Sequence, residues 1–303
     1  MLSVLICTHN PRPAMLTQVL DALREQTLPR SEWELLLIDN ASAEPLPPRF
    51  ALAWHPRARH VAEPELGLTR ARLRSIAEAA GDLLVFVDDD NVVAPDYLAC
   101  AAEISSSYPF LGAWGGRILC EYPQPPAPWM TRYLGMLGRE VTRDVWSNLT
   151  HTSITTPFGA GLCVRLDVAR KYAERVQTSP LRLALGRNGT DLAAAEDIDL
   201  AYTACTLGLG NGLFTSLRLK HLIPPERMTL DYFTRLAEAM AFSEVILQYL
   251  WSGQVPDHQV SRTEQFFRFY REVRQGAQVR AIEQARRRGL RRGTEFLRAS
   301  TSG

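Results

Sequence analysis

Short apolar runs and amphipathic stretches alternate from the first residues of this chain. Leu2 to Thr8 is rich in apolar β-formers and predicts a strand, and Ala14 to Gln26 has the spacing of an amphipathic helix. Trp33 to Ile38 predicts a second strand, ending at Asp39-Asn40, and His60-Val61-Ala62 a short third one. Between Thr69 and Ala80, residues Ala71, Leu73, Ile76, Ala77 and Ala80 recur at helical spacing, and Gly81 closes the helix. Leu83 to Val87 is an unbroken apolar strand, and Pro95 to Ser105 predicts the next helix. Alternation of this kind predicts a mostly parallel sheet with helices on both faces, a Rossmann-like α/β architecture.

The second half reads differently. Tyr122 to Asn148 holds Pro123, Pro125, Pro126 and Pro128 together with Trp129 and Trp146, which predicts an irregular segment of the functional kind. Ile154 to Val164 reads as a strand broken by Pro157, Gly159 and Gly161, where the backbone can approach a ligand closely. After Asp197 the pattern Ile198, Leu200, Ala201, Ala204, Cys205 and Leu207 is helical, and a strand is expected before His221. From Leu230 onward the chain is helical in character. The expected organisation is a main domain over 1–230, with halves near 1–120 and 121–230, and a helical Arg-rich extension over 231–303.

The chemistry gathers where strands end. Asp88-Asp89-Asp90 follows the apolar run directly, and unpaired carboxylates there are too costly to stay in a core, so they must reach solvent or a cation. Hard oxygen ligands at a strand end suit Mg²⁺ or Mn²⁺, which commonly bridges to substrate phosphates. Thr8, Asp39 and the acidic run all fall at carboxyl ends of strands, where open α/β sheets bind their ligands.

Five motifs then carry a resemblance: Cys7-Thr8-His9-Asn10-Pro11-Arg12, Ile38-Asp39-Asn40-Ala41-Ser42, Gly67-Leu68-Thr69-Arg70-Ala71-Arg72, Phe86-Val87-Asp88-Asp89-Asp90-Asn91 and Glu196-Asp197-Ile198-Asp199-Leu200. In this order they resemble a family 2 glycosyltransferase of the GT-A fold, and within it the bacterial enzymes that build cell-surface polysaccharide. The likeness spans roughly 1–230. It implies a nucleoside-diphosphate-sugar donor, a saccharide, lipid-linked or other hydroxyl acceptor, a Mn²⁺ or Mg²⁺ ion, and inversion at the anomeric carbon. By the same resemblance Thr8, Asp39, Arg72, Asp88 and Asp89 line the donor site, and Asp90, Asp88 and His221 hold the metal. Which member of the acidic run takes the metal and which faces the ribose or sugar stays open, with Asp89 suited to either. The resemblance makes Glu196-Asp197 the catalytic pair, with Asp197 taking the acceptor's proton from the face opposite the leaving group. Gly159 and Gly161 match a loop beneath donor sugar and acceptor, and Trp129 is the favoured tryptophan for stacking on a sugar ring. The chain departs from the family pattern at Leu73 and Gly161, where relatives often carry Asn, so donor choice does not transfer.

Composition narrows the alternatives. A net charge of +1 gives no global attraction for nucleic acid. Five scattered cysteines without a CxxC spacing speak against a zinc site or a disulfide framework and suit a reducing compartment. A sugar nucleotidyltransferase would carry a Gly-rich loop and a basic residue after its first strand, and here Thr8-His9-Asn10-Pro11 stands instead. The other rival is a degenerate sugar-binding or scaffold member. The N-terminus lacks the charge and length of a signal peptide, so a cytoplasmic location is expected. From His258 to Gly303 there are eleven Arg against four Glu. That basic stretch, with Phe266, Phe267, Phe269 and Phe296, suggests peripheral contact with the inner face of a membrane.

Overall fold

The apolar runs become strands of one mixed sheet. In chain order the elements are β1 (Leu2–Thr8), α1 (Pro13–Arg24), β2 (Trp33–Asn40), β3 (Ala58–Glu63), α2 (Leu68–Glu78), β4 (Leu83–Phe86), β5 (Asn91–Val93), α3 (Tyr97–Ser107), β6 (Leu111–Glu121), β7 (Val145–Ser147), β8 (Cys163–Arg165), α4 (Leu166–Gln177), α5 (Pro180–Leu183), α6 (Glu196–Thr206), β9 (Gly210–Leu222), α7 (Leu230–Ser252) and α8 (Ala277–Thr301). The computed structural model describes residues 1–150, 154–189, 192–256 and 276–301. These fall into two compact units. The first comprises Met1–Glu121, Gly135–Ser179 and Glu196–Ile223, and the second Tyr122–Leu134, Pro180–Ala195 and Pro224–Gly303. Phe266, Phe267 and Phe269 lie outside the described residues.

Among the described residues the sheet has nine strands in the order β3-β2-β1-β4-β8-β6-β9-β5, with β7 also paired to β9. The expected parallel run holds for β3, β2, β1 and β4. The side chains of β1, β2 and β4 are buried on both faces, which is why these three strands read as nearly continuous apolar runs. Beyond β4 the sheet is mixed: β8 is antiparallel to β4 and β6, β6 and β9 are parallel, and β5 and β7 are antiparallel to β9. The strand expected over Ile154 to Val164 is confined to β8. Pro157 has no N–H to give a ladder, and Gly161 at φ 72° leaves the extended region.

Register in the parallel half is locked by two buried polar groups. Ser3 Oγ donates to Glu34 Oε1 (2.6 Å), Gly81 N–H to Ser3 Oγ (2.9 Å) and Ala80 N–H to Glu34 Oε1 (2.7 Å). A Cβ on Gly81 would stand 2.7 Å from the Met1 carbonyl oxygen, so only glycine lets the chain enter β4 at this height. The result pairs Leu5 with Phe86, and Thr8 with Asp39.

In the second unit α7 and α8 pack at short range. A Cβ on Gly289 would sit 2.1 Å from the Glu238 carbonyl oxygen and 2.9 Å from Ala241 Cβ, and one on Gly293 2.9 Å from Val245 Cβ. Glu238 receives Arg288 (3.0 Å) and Arg292 (2.7 Å), and Arg286 lies 3.6 Å from Glu244. Phe296 packs on Phe242 at 5.6 Å between centroids. The apolar side of the Arg-rich helix, with Val279, Ile282, Ala285 and Leu297 buried, therefore belongs to the protein interior. Gly289→Ala should lower stability by about 1–3 kcal/mol through overpacking against backbone, outweighing a helix-propensity gain of about 1 kcal/mol. A urea or thermal melt that moves upward would contradict this packing.

Candidate active site

The register of the parallel strands assembles the first part of the site. With Leu5 opposite Phe86, Thr8 comes level with Asp89, and Thr8 Oγ1 donates a hydrogen bond to Asp89 Oδ2. Thr8 is buried, while Asp88 and Asp89 are half-buried. At the end of β2, Asp39 Oδ1 accepts the Ser42 N–H (3.1 Å). Around it the loops after β1 and β2 are laced together. Asn10 N–H donates to Ser42 Oγ (3.0 Å), Ala43 N–H donates to Asn10 Oδ1 (2.9 Å), and His9 Nδ1 stands 2.8 Å from the Asn40 carbonyl oxygen. Asn10 (φ 48°) and Ala41 (φ 53°) hold left-handed backbone there, a conformation that costs an alanine energy and is concentrated at functional loops.

Asn40 is a residue whose role sequence reasoning missed. Its buried amide donates to the carbonyls of Glu63 (3.2 Å) and Glu65 (2.7 Å), and its Oδ1 accepts the Gly67 N–H (2.8 Å). It thereby fixes the start of α2, which carries Arg72. The available signal was a second polar residue, after Asp39, at the end of the apolar run Leu35 to Ile38.

Arg72 is 3% exposed. Its Nη1 lies 3.2 Å from Glu196 Oε1, its Nη2 3.9 Å from Asp88 Oδ1, and its guanidinium 5.3 Å from the Phe86 ring centroid. Burial opposes its charge, but Glu196, then Asp88, Asp197 and Cys7, outweigh that and raise its pKa. Asp197 is half-buried at the start of α6. Its Oδ2 accepts the Gly159 N–H (2.6 Å) and its Oδ1 the Ile198 N–H (2.8 Å). A Cβ on Gly159 would lie 2.7 Å from Arg72 Nη2 and 3.1 Å from Asp197 Oδ2, so glycine is what lets this loop reach the carboxylate. Gly161 is built into the interior: Tyr97 Oη donates to its carbonyl (2.6 Å), and a Cβ there would stand 2.3 Å from that hydroxyl.

The other sheet edge supplies His221. Pairing of Asn91 with His221 across β5 and β9 brings its Nε2 within 3.4 Å of Asp90 Oδ2. His221 Nδ1 faces the Leu137 carbonyl at 2.7 Å. Burial works against a charged ring, yet hydrogen bonds to Asp90 and Cys120, the Asp90 charge and the Leu137 carbonyl push its pKa up to about 10. Asp90 itself is buried and accepts Asn91 Nδ2 (3.0 Å). Among the described residues no cluster of three His, Cys, Asp or Glu donors is preassembled. Asp90 and His221 still fit a divalent cation: one carboxylate and one imidazole aimed at each other, the ring held by a backbone carbonyl on its far nitrogen, as metal-binding histidines are. Two such ligands, or three with Asp88, leave positions for substrate phosphates.

Thr8, Asp39, Arg72, Asp88, Asp89, Asp90, Gly159, Gly161, Glu196, Asp197 and His221 thus all belong to the first unit. Trp129 belongs to the second, where its half-buried ring lies edge-on to Phe233 at 5.5 Å. A sequence profile described as Glycosyl transferase family 2 matches residues 3–165, more than half of the chain. The chain belongs to glycosyl transferase family 2. It is 27% identical over 137 residues to an N-acetylglucosaminyltransferase of Sinorhizobium fredii, a match covering 44% of this chain and 32% of the relative. Across the curated relatives it matches, the chain spans between 12% and 35% of their length. The fold is that of an S. aureus TarS fragment crystallised with UDP-GlcNAc (TM-score 0.54, 15% identity, 82% of this chain and 66% of that one). It is equally that of the mannosyltransferase PcManGT of Pyrobaculum calidifontis, crystallised with GDP-Man and Mn²⁺ (TM-score 0.52, 20% identity, 94% and 72%). These likenesses make the α/β unit a GT-A fold.

Proposed function

We propose that this family 2 member transfers a sugar, with inversion, from a nucleoside-diphosphate-sugar to a hydroxyl of a saccharide or lipid-linked acceptor, in bacterial polysaccharide or glycoconjugate synthesis. The observation that carries the reading is the convergence of two carboxylate systems within one unit, Asp88–Asp90 with His221 on one side and Asp197 on the other. Nucleotide-sugars bound to two proteins of the same fold support the donor class.

Each group has a task that its surroundings suit. Thr8, Asp39 and Asp89 bind the nucleotide and ribose, with Thr8 orienting Asp89. Asp90 and His221, with Asp88 as the third candidate, would hold a Mn²⁺ or Mg²⁺ ion. When bound, that ion supplies Lewis-acid neutralisation of charge on the leaving diphosphate. Asp197 accepts the acceptor hydroxyl's proton. The two N–H donors on its oxygens hold its direction fixed. Gly159 keeps the loop beneath it free of a side chain.

Two variants test the division of labour. Asp197→Asn should lower kcat about 10²–10⁴-fold, the usual weight of a positioned base, with nucleotide binding retained. Full activity of that variant would remove Asp197 from the chemistry. In a thermal-shift panel of UDP, GDP, dTDP, CDP and ADP, one nucleotide should stabilise the protein only with Mn²⁺, and Asp90→Ala and His221→Ala should abolish that metal-dependent part. A metal-dependent shift unchanged in both variants would refute the assigned ligands.

The basic helix gives the reading its place in the cell, cytoplasmic and peripheral at the inner face of the membrane. Arg280, Arg287, Arg291 and Arg298 fall on one line of α8, turned away from the buried side, along about 27 Å of helix. Arg291 is 71% exposed, with Glu295 at 3.8 Å. With the apolar side packed on α7, contact with anionic headgroups is electrostatic, near 1 kcal/mol per Arg, rather than insertion. Among the described residues no helix is long and apolar enough to cross a membrane. Vesicles with anionic lipid should retain the protein at low salt and release it at high salt, and Arg287→Glu/Arg291→Glu should abolish retention. Equal binding to neutral vesicles, or an unaffected double variant, would refute the contact, as would preferential retention on nucleic acid.

A further inference from the structure

Glu196 and Asp197 are neighbours in sequence, yet their carboxylates have different surroundings. Asp197 is half-buried, with the N–H groups of Gly159 and Ile198 on its oxygens. Glu196 is 4% exposed and turns to the buried Arg72 guanidinium, 3.2 Å away. Arg72 in turn lies 3.9 Å from Asp88 at the end of β4. The space around the guanidinium is closed, since even a methyl on Gly159 would come within 2.7 Å of Nη2. Burying a cation requires countercharge at short range, and removing one partner of a buried pair leaves the other to find a substitute.

The substitutes at hand are the two carboxylates that the reaction needs. Glu196 stands nearest the guanidinium at 3.2 Å, Asp88 follows at 3.9 Å, and Asp197 lies just across the Gly159 loop, where a Cβ on Gly159 would be 2.7 Å from Arg72 Nη2 and 3.1 Å from Asp197 Oδ2. We infer that Glu196 is a positioning residue: as the countercharge of Arg72 it keeps the guanidinium from capturing Asp197 and Asp88, leaving the first to accept a proton and the second to face donor and metal. This rests on the reading of Asp197 as the base. It moves Glu196 from the catalytic pair to the support of that pair, and it gives Arg72 the role of a strut between β4 and α6.

A kinetic and thermal cycle tests it, using wild type, Glu196→Gln, Arg72→Met and Arg72→Met/Glu196→Gln. The readout is release of nucleoside diphosphate from saturating nucleotide-sugars of the five bases above, with the sugar passing to water in place of the acceptor hydroxyl, in parallel with melting temperature. Glu196→Gln should lose about a hundredfold or more in kcat, the weight of a misdirected base, and should melt lower. The double variant removes the cation with its countercharge, and a neutral buried pair is tolerated. It should therefore exceed Glu196→Gln in melting temperature and by about tenfold in kcat, a coupling that independent sites do not show. A proton-transfer role for Glu196 predicts a double variant no more active than the single, and a merely structural role predicts recovered melting without recovered kcat; either result overturns the inference. Should Glu196→Gln fail to fold, the double variant decides alone: folded and active supports the strut, unfolded or inactive overturns it. Asp197→Asn run alongside separates the two levels, because its retained turnover would fell the base reading itself, whatever the cycle gives.

Discussion

A guanidinium taken out of water is stable only where carboxylates surround it, and in this protein the buried Arg72 is where the two sides of the site meet. Asp88 reaches it from the end of β4, and Glu196 from the start of α6. The Gly159 loop passes close by and hands its N–H to Asp197. Each contact constrains the others: α2 must begin where Asn40 fixes it, β4 must end at the height that Ser3 and Glu34 set, and residue 159 can carry no side chain. The electrostatics of one buried cation thus tie segments separated by more than a hundred residues into one arrangement.

The donor side follows from strand register. Parallel pairing of β1 with β2 and β4 stacks Thr8, Asp39 and the acidic run at one sheet end, and antiparallel pairing of β5 with β9 swings His221 onto Asp90. Because side chains alternate along a strand, a slip of one residue in either pairing would turn these groups to the opposite face. Buried polar locks are therefore placed in the parallel half, where hydrophobic pattern alone does not distinguish neighbouring registers: β1, β2 and β4 are apolar on both faces.

The Arg-rich C-terminal helix divides its charge between two tasks. Arg288 and Arg292 converge on Glu238, while the small residues Gly289 and Gly293 let α8 settle against the α7 backbone. Other arginines lie along the side away from this contact. One sequence feature, a run of arginines interrupted by glycines, thus encodes both a tight helix pair and a predominantly basic outer face.

Much of this was legible in the chain itself. Periodicity and turn residues located β1, β2, α2, β4 and α6, and five ordered motifs pointed to the family and to the acidic run, because those signals are local. Pairing partners were not legible. That β8 runs antiparallel between β4 and β6, that three short strands join the sheet, and that Ile154 to Val164 is mostly loop depend on contacts between distant segments. The same holds within the site. Sequence offered Glu196 and Asp197 as one acidic pair, and only the tertiary structure gave one carboxylate to a buried arginine and the other to backbone N–H groups. Adjacent residues on a helix point in different directions, so identical chemistry in sequence meets different dielectric and different partners in space.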